Sequence, residues 1–166
     1  MEVLTIFEDS RYGGPHSQFI NLVKILKAKV KFKIFISNQE SKIFEKNLNE
    51  ISTDYKKEKI DFLSISKLNF IKYAKSFFTN LFLLVAIIKE NKSNYLYIPG
   101  GSSCIKSVIA GIICKKKIIW HIHDAHSNIL LKLLYFIFSP FIFRIIFASK
   151  KSFAIYFPVN LYLFTT

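Results

Sequence analysis

A chain of 166 residues, 51% of them apolar, has enough hydrophobic side chains for one sizeable core, which excludes wholesale disorder and points to a single domain. The formal net charge of +13 admits nucleic acid, an anionic membrane surface or phosphorylated small molecules as partners. That charge is nearly all lysine, with arginine only at Arg11 and Arg144, beside abundant Ile, Asn and Phe; the bias matches an AT-rich coding background and lowers the weight of charge as a functional signal.

In chain order, residues 3–7 are a short apolar run and read as a first strand. Loop 8–14 ends in Gly13-Gly14, and Pro15 suits the first turn of a helix, where its missing N–H costs nothing. Phe19, Leu22, Val23 and Leu26 then recur at helical spacing. Residues 32–37 read as the second strand. Residues 39–49 form a polar helix with a narrow stripe of Ile43, Phe44 and Leu48. Loop is expected over 52–59 and the third strand over 60–65. Residues 67–90 predict a long helix whose second half is nearly all apolar. The fourth and fifth strands fall at 94–98 and 118–122. Residues 127–144 read as helix with a break near Pro140. A sixth strand at 145–149, a short helix at 154–157 and a further strand from 159 to 164 complete the reading. Strands alternating with helices imply right-handed crossovers and a doubly wound, mostly parallel, Rossmann-like α/β sheet in the order 3-2-1-4-5-6.

The stretch from Ile98 to Ser127 carries most of the chemistry. Gly100 and Gly101 are expected to turn the backbone, with positive φ where needed. Ser102 or Ser103 can cap the helix that follows, and Lys115–Lys117 suit its negative end. The buried strand after it sets His121, His123, Asp124 and His126 at its carboxyl edge, where open α/β sheets bind ligands. Trp120 and Ile122 should face one side of that strand, His121 and His123 the other. His-x-His with Asp124 could begin a metal site, but no distant Cys or Glu completes a four-ligand set; no metal or other cofactor is expected. A histidine held beside a carboxylate can act as a base or polar contact, or simply pack. Gly13-Gly14, just before a helix N-terminus, offers backbone N–H groups to a phosphate or carboxylate, or is a plain tight turn.

Other motifs are excluded or unsupported. Cys104 and Cys114 lie on one helix about 15 Å apart and cannot bridge. No Walker loop, Gly-x-Ser-x-Gly, Gly-x-Gly-x-x-Gly or Cys-x-x-Cys is present. The lysines at 24, 27, 29, 31 and 33 could touch phosphates, but no RNP-like or helix-turn-helix pattern accompanies them, so nucleic acid is disfavoured. Residues 81–88 are too few to cross a bilayer, and 129–147 are interrupted by Lys132, Ser139, Pro140 and Arg144. The first residues read as a strand and not as a signal peptide. A cytoplasmic chain is expected, touching the inner face of a membrane peripherally at most.

Three motifs, Gly-Gly-Pro-His after the first strand, Tyr-Leu-Tyr-Ile-Pro-Gly-Gly and Lys-Lys-Ile-Ile-Trp-His-Ile-His-Asp-Ala, occur in the order and spacing of a known family. Along essentially its whole length the chain resembles the N-terminal, acceptor-side domain of family 4 glycosyltransferases, and Phe147-Ala148-Ser149-Lys150 looks like that family's strand before the domain crossover. The resemblance implies one half of a GT-B fold. It implies transfer of a sugar from a nucleotide-sugar donor to a glycan or lipid-linked acceptor, with retention and without a metal, in polysaccharide or lipid-linked glycan synthesis. It assigns Gly13 and Gly14 to the donor diphosphate and the catalytic contacts to His123 and Asp124. His16, Gly101, Ser102, His121 and His126 become acceptor or sugar contacts. The family's C-terminal domain, with its Glu-x7-Glu motif, has no counterpart here. A truncated product or one subunit of a split transferase is therefore expected, inactive without a partner half. The alternative is a non-catalytic basic α/β module that binds a membrane surface or a protein.

Overall fold

The computed structural model describes residues 1–9, 11–38, 41–60, 67–101, 104–124 and 129–157, with the backbone alone for 67–75. The strands β1 (Glu2–Phe7), β2 (Lys31–Ser37), β3 (Tyr55–Glu58), β4 (Tyr95–Gly100), β5 (Lys117–Ile122) and β6 (Arg144–Phe147) form one sheet. All pairings are parallel and the order is β3-β2-β1-β4-β5-β6, as the alternation of elements requires.

Strand alternation builds a layer on each face. Val3 and Phe7 of β1 pack with Phe19 and Val23 of α1 (Gly14–Leu26) and with Phe44 and Leu48 of α2 (Lys42–Glu50). Leu4 and Ile6 point the other way, to Leu84 and Ile88 of α3 (Lys67–Glu90) and Val108 of α4 (Ile105–Ile113). Tyr135 of α5 (Ile129–Phe138) and Tyr156 of α6 (Lys150–Tyr156) join this second layer. Trp120 and Ile122 are wholly buried in it, while His121 and His123 sit half-buried on the opposite face of β5. In α2, Ile43 departs from the expected stripe and is 62% exposed.

The third strand is misplaced in the sequence reading. β3 is Tyr55–Glu58, inside the expected loop, and Ile60 is not in a strand; positions 61–65 and 159–164 lie outside the described residues. The reason is position in the sheet. β3 is an edge strand paired only with β2, so Lys56 and Lys57 can face water, where charge also discourages pairing with another chain. Buried Ile60 instead follows the strand and accepts a hydrogen bond from Ser37 Oγ at 2.8 Å. The break near Pro140 is present, as a 3₁₀ turn at Ser139–Phe141. The lysines after α4 do not sit in its last turn. Lys115 takes φ 53° in the connection to β5, Lys116 Nζ donates to the Asn91 and Ser93 carbonyls at 2.9 and 2.6 Å, and Lys117 opens β5. Cys104 and Cys114, one at each end of α4, are free thiols.

Candidate functional site

The loops leaving β1, β4 and β5 meet at the carboxyl edge of the sheet around a cavity of about 200 Å³. The first loop supplies Asp9, Arg11 and Gly13, and the start of α1 adds Pro15; the others supply Gly100 with Gly101, and His123 with Asp124. His16 lines the cavity from the first turn of α1, and Cys104 from the start of α4. Gly13, Gly100 and His123 thus share one edge, as doubly wound topology predicts.

Gly13 is the N-cap of α1 in extended backbone, with no side-chain cap and no acidic residue in the first turn. The early N–H groups and the positive end of the helix dipole are therefore offered to an anion. Gly14, the first helical residue, does not line the cavity. Arg11 stands at the mouth, with Nε and Nη2 donating to the Asp9 carboxylate at 2.9 and 2.7 Å. An exposed pair of this kind contributes only about 0.2–1 kcal/mol.

No glycine has positive φ, which corrects the expected reason for the Gly100-Gly101 turn. Space is the reason instead. A Cβ on Gly100 would lie 2.3 Å from Cys104 Sγ, and one on Gly101 would lie 1.8 Å from Asp124 Oδ1. The Asp124 carboxylate therefore rests against the Gly101 backbone, and the Tyr156 hydroxyl donates to its Oδ2. Trp120 reaches the same turn, its indole N–H donating to the Gly101 carbonyl at 3.3 Å, which gives a buried Trp the partner it needs. Ser102 and Ser103, expected to cap α4, lie outside the described residues; the N-cap of α4 is Cys104, with no side-chain cap bond. The capping carboxylate comes from Glu8, at the end of β1, whose Oε1 accepts from Ser107 N–H at 2.8 Å. Glu8 Oε2 stands 3.5 Å from Lys106 Nζ, both side chains being buried.

The histidines divide. His16 is 4% exposed, stacked on Phe7 and edge-on to Phe44. Its Nε2–H donates to the Asp9 carbonyl at 2.9 Å, and its buried Nδ1 has no partner among the described residues. Burial lowers its pKa, against the opposing pull of Asp9. His121 shares a 2.7 Å hydrogen bond between Nδ1 and the Tyr97 hydroxyl, and it does not line the cavity. Burial lowers its pKa too, and pushes the Tyr97 phenol up. His123 lies with its ring 4.1 Å from that of His121, and its buried Nε2 has no partner among the described residues. Burial, then the neighbouring His121 and His16, push its pKa down to about 4. His126 lies outside the described residues. Among the described residues no group of three His, Cys, Asp or Glu could hold a metal ion.

His123 is thus neutral near pH 7. Its imidazole resonances should stay unshifted until the pH approaches 4; a midpoint near 6.5 in an NMR titration would contradict the burial argument. The sign for stability follows. The unfolded chain, with a histidine pKa of about 6.5, takes the proton first as pH falls. The His123 contribution is therefore full above about pH 6.5 and is lost as pH falls toward 4. Glu8, whose pKa burial raises, pulls in the opposite sense. The clean measurement is the stability difference between wild type and His123→Gln, in which Glu8 cancels; it should shrink in wild type's disfavour across that window.

Asp9, Arg11, Glu8, Lys106, Tyr97 and Tyr156 were not singled out by the sequence. Only Arg11 left a signal, as one of two arginines in a lysine-rich chain.

Neither a protein-family model nor a curated protein sequence matches the chain. Solved structures do. The HepE protein of Anabaena in complex with UDP superposes with a TM-score of 0.68 at 15% identity over 95% of this chain and 40% of that one. MurG of Acinetobacter baumannii gives 0.66 at 13% identity, over 91% and 42%. The UDP-GlcNAc 2-epimerase of Neisseria meningitidis bound to UDP-GlcNAc gives 0.65 at 13% identity, over 95% and 43%. The class these likenesses define is structural: a Rossmann-like α/β unit with the fold of one half of a GT-B protein. The chain spans less than half the length of each of these neighbours.

Proposed function

We propose that this chain is the acceptor-side half of a GT-B glycosyltransferase that moves a sugar from a nucleotide-sugar to a glycan or lipid-linked acceptor. One observation carries the reading: three loops at strand carboxyl ends bring an uncapped helix N-terminus, His123 and Asp124 around one cavity. The motif resemblance to family 4 and the UDP-bound neighbours support it. In this reading the start of α1, with Gly13 and Gly14, faces the donor diphosphate and steadies the negative charge that develops as it leaves. Arg11 adds a second donor. Neutral His123 is too weak a base at pH 7 to be a strong proton acceptor, so it serves as a hydrogen-bonding contact to the sugar. Asp124, held by Tyr156, accepts from a sugar hydroxyl. No metal takes part.

A cavity of about 200 Å³ lies below the 300–1,000 Å³ typical of small-molecule sites, and it holds only part of a nucleotide-sugar. The isolated 166-residue chain should therefore bind UDP-glucose or GDP-mannose weakly in calorimetry and turn over neither. Co-expression with the product of the adjacent reading frame, as a second half, should restore binding and transfer. His123→Ala should then abolish transfer and spare assembly. Tight, stoichiometric binding by the isolated chain, or transfer that survives His123→Ala, would overturn the proposal.

A further inference from the structure

β3 begins later than β2, and this leaves a notch in the sheet. The first pairing between the two is Ile34 with Tyr55, so Lys31–Lys33 have no strand beside them on that side among the described residues. α3 ends at the same amino edge, at Glu90. Between them lies a cavity of about 500 Å³, inside the 300–1,000 Å³ range of small-molecule sites and on the opposite edge of the sheet from His123. Its floor is apolar: Phe35 of β2, half-buried on the α3 side of the sheet, and buried Ile87 of α3. By strand alternation Lys31 and Lys33 share the face of Phe35. Lys56 stands beside Phe35 in register, with Asp54 two residues before it.

The charges at the rim say what the cavity takes. Lys33 Nζ is held by Glu2 at 3.0 Å, which leaves Asp54, beside it on the next strand, without that partner. Lys31, Lys56, Asp54 and Glu90 line the cavity, and none has an ion-pair partner among the described residues. Asn91 is 7% exposed; its side-chain oxygen accepts from Ser93 N–H at 2.9 Å, and its amide nitrogen remains as a donor. Three cations, Lys31, Lys33 and Lys56, stand against three anions, Glu2, Asp54 and Glu90, so the site has no net charge although the chain carries +13. A phosphate or a nucleotide needs a surplus of cations. A ligand with one charge of each sign does not. We propose that the notch between β2, β3 and the end of α3 binds a small zwitterion with an apolar body, the chemistry shared by an apolar amino acid and a short apolar peptide. Lys31 and Lys56, with the Asn91 amide, take the carboxylate. Asp54 and Glu90, the latter at the negative end of α3, take the ammonium. Phe35 and Ile87 receive the apolar part. The proposal is independent of the sugar-transfer reading.

The test is an NMR titration of the full chain with phenylalanine and with the tripeptide Leu-Ala-Leu, each up to about 10 mM, where a millimolar Kd gives nearly full occupancy. Backbone amide resonances should move over Lys31–Phe35, Asp54–Lys56 and Ile87–Asn91, and stay in place at Gly13, Gly101 and His123. A response to phenylalanine alone assigns the site to free amino acids, and a response to the tripeptide alone assigns it to peptide; either supports the proposal. Acetylating the probe's ammonium or amidating its carboxylate should each weaken binding about fivefold. Lys56→Gln and Glu90→Gln, both at exposed positions, should do the same, and amidation should cost less in Lys56→Gln than in wild type. The spectrum itself verifies that each variant is folded; Lys31→Gln and Asp54→Asn replace any that is not. Absence of shifts at these residues with both probes overturns the proposal, and so do capped probes that bind as well as the free ones. Tighter binding of inorganic phosphate or AMP at the same residues would assign the lysines to an anion, and would overturn it equally.

Discussion

Replacing Glu8 by leucine is expected to remove about 3–5 kcal/mol of stability, a large part of the 5–15 kcal/mol that a domain of this size ordinarily has. The substitution leaves the Lys106 ammonium buried opposite a hydrocarbon side chain, and it strips Ser107 N–H of its acceptor. Most of the loss comes from breaking the buried ion pair, so replacing both of its members should reverse it. Glu8→Leu with Lys106→Met should recover all but about 1–2 kcal/mol, the residue being the lost helix cap. Urea denaturation of the single and double variants checks this. A single variant within about 1 kcal/mol of wild type, or a double variant no better than the single, would show that the buried pair is not what joins β1 to α4.

Gly101→Ala is expected to damage the site more than any other single-carbon change. Its new methyl would lie 1.8 Å from Asp124 Oδ1 and 2.9 Å from Cγ, and a side chain as short as aspartate cannot move aside while Tyr156 holds its other oxygen. Either that hydrogen bond breaks or the loop shifts. The overpacking should cost about 1–3 kcal/mol, and misplacement of the carboxylate should lower transfer by the assembled pair about a hundredfold or more. The stability loss should largely vanish in an Asp124→Ala background, where the obstacle is gone. If it persists there, crowding is not the cause. Gly14→Ala is the matched control: its methyl would meet nothing within 4 Å, so folding should be unchanged or gain up to about 1 kcal/mol from better helix propensity.

The parts of this molecule that could be read from sequence are those whose signal is local and periodic. Alternating apolar runs and helical stretches gave the strand order, and the burial of Trp120 and Ile122 with His121 and His123 opposite needs nothing beyond the two-residue period of a strand. The cavity was legible in outline, since Gly13, Gly101, His123 and Asp124 all follow strand ends. β3 was not, because an edge strand can carry Tyr-Lys-Lys-Glu and need show no apolar run. The partners of the site residues were hidden for another reason. Tyr156 meets Asp124 across 32 residues and Glu8 meets Ser107 across 99, and no local pattern encodes either contact. His16 lines the cavity, and its place between Phe7 and Phe44 depends on where α2 packs, which no local pattern encodes.

The contact between Glu8 and Ser107 also sets a clock. The carboxylate is made near the start of synthesis, and the amide that it caps follows 99 residues later. At about 5–20 residues per second, the loop after β1 waits some 5–20 seconds on the ribosome before its anchor exists. Through that interval β1 can pair with β2, but its other neighbour, β4, arrives only shortly before the anchor. A nascent chain stalled before residue 107 should therefore display the Asp9–Gly13 loop to proteases, and one stalled after α4 has emerged should not.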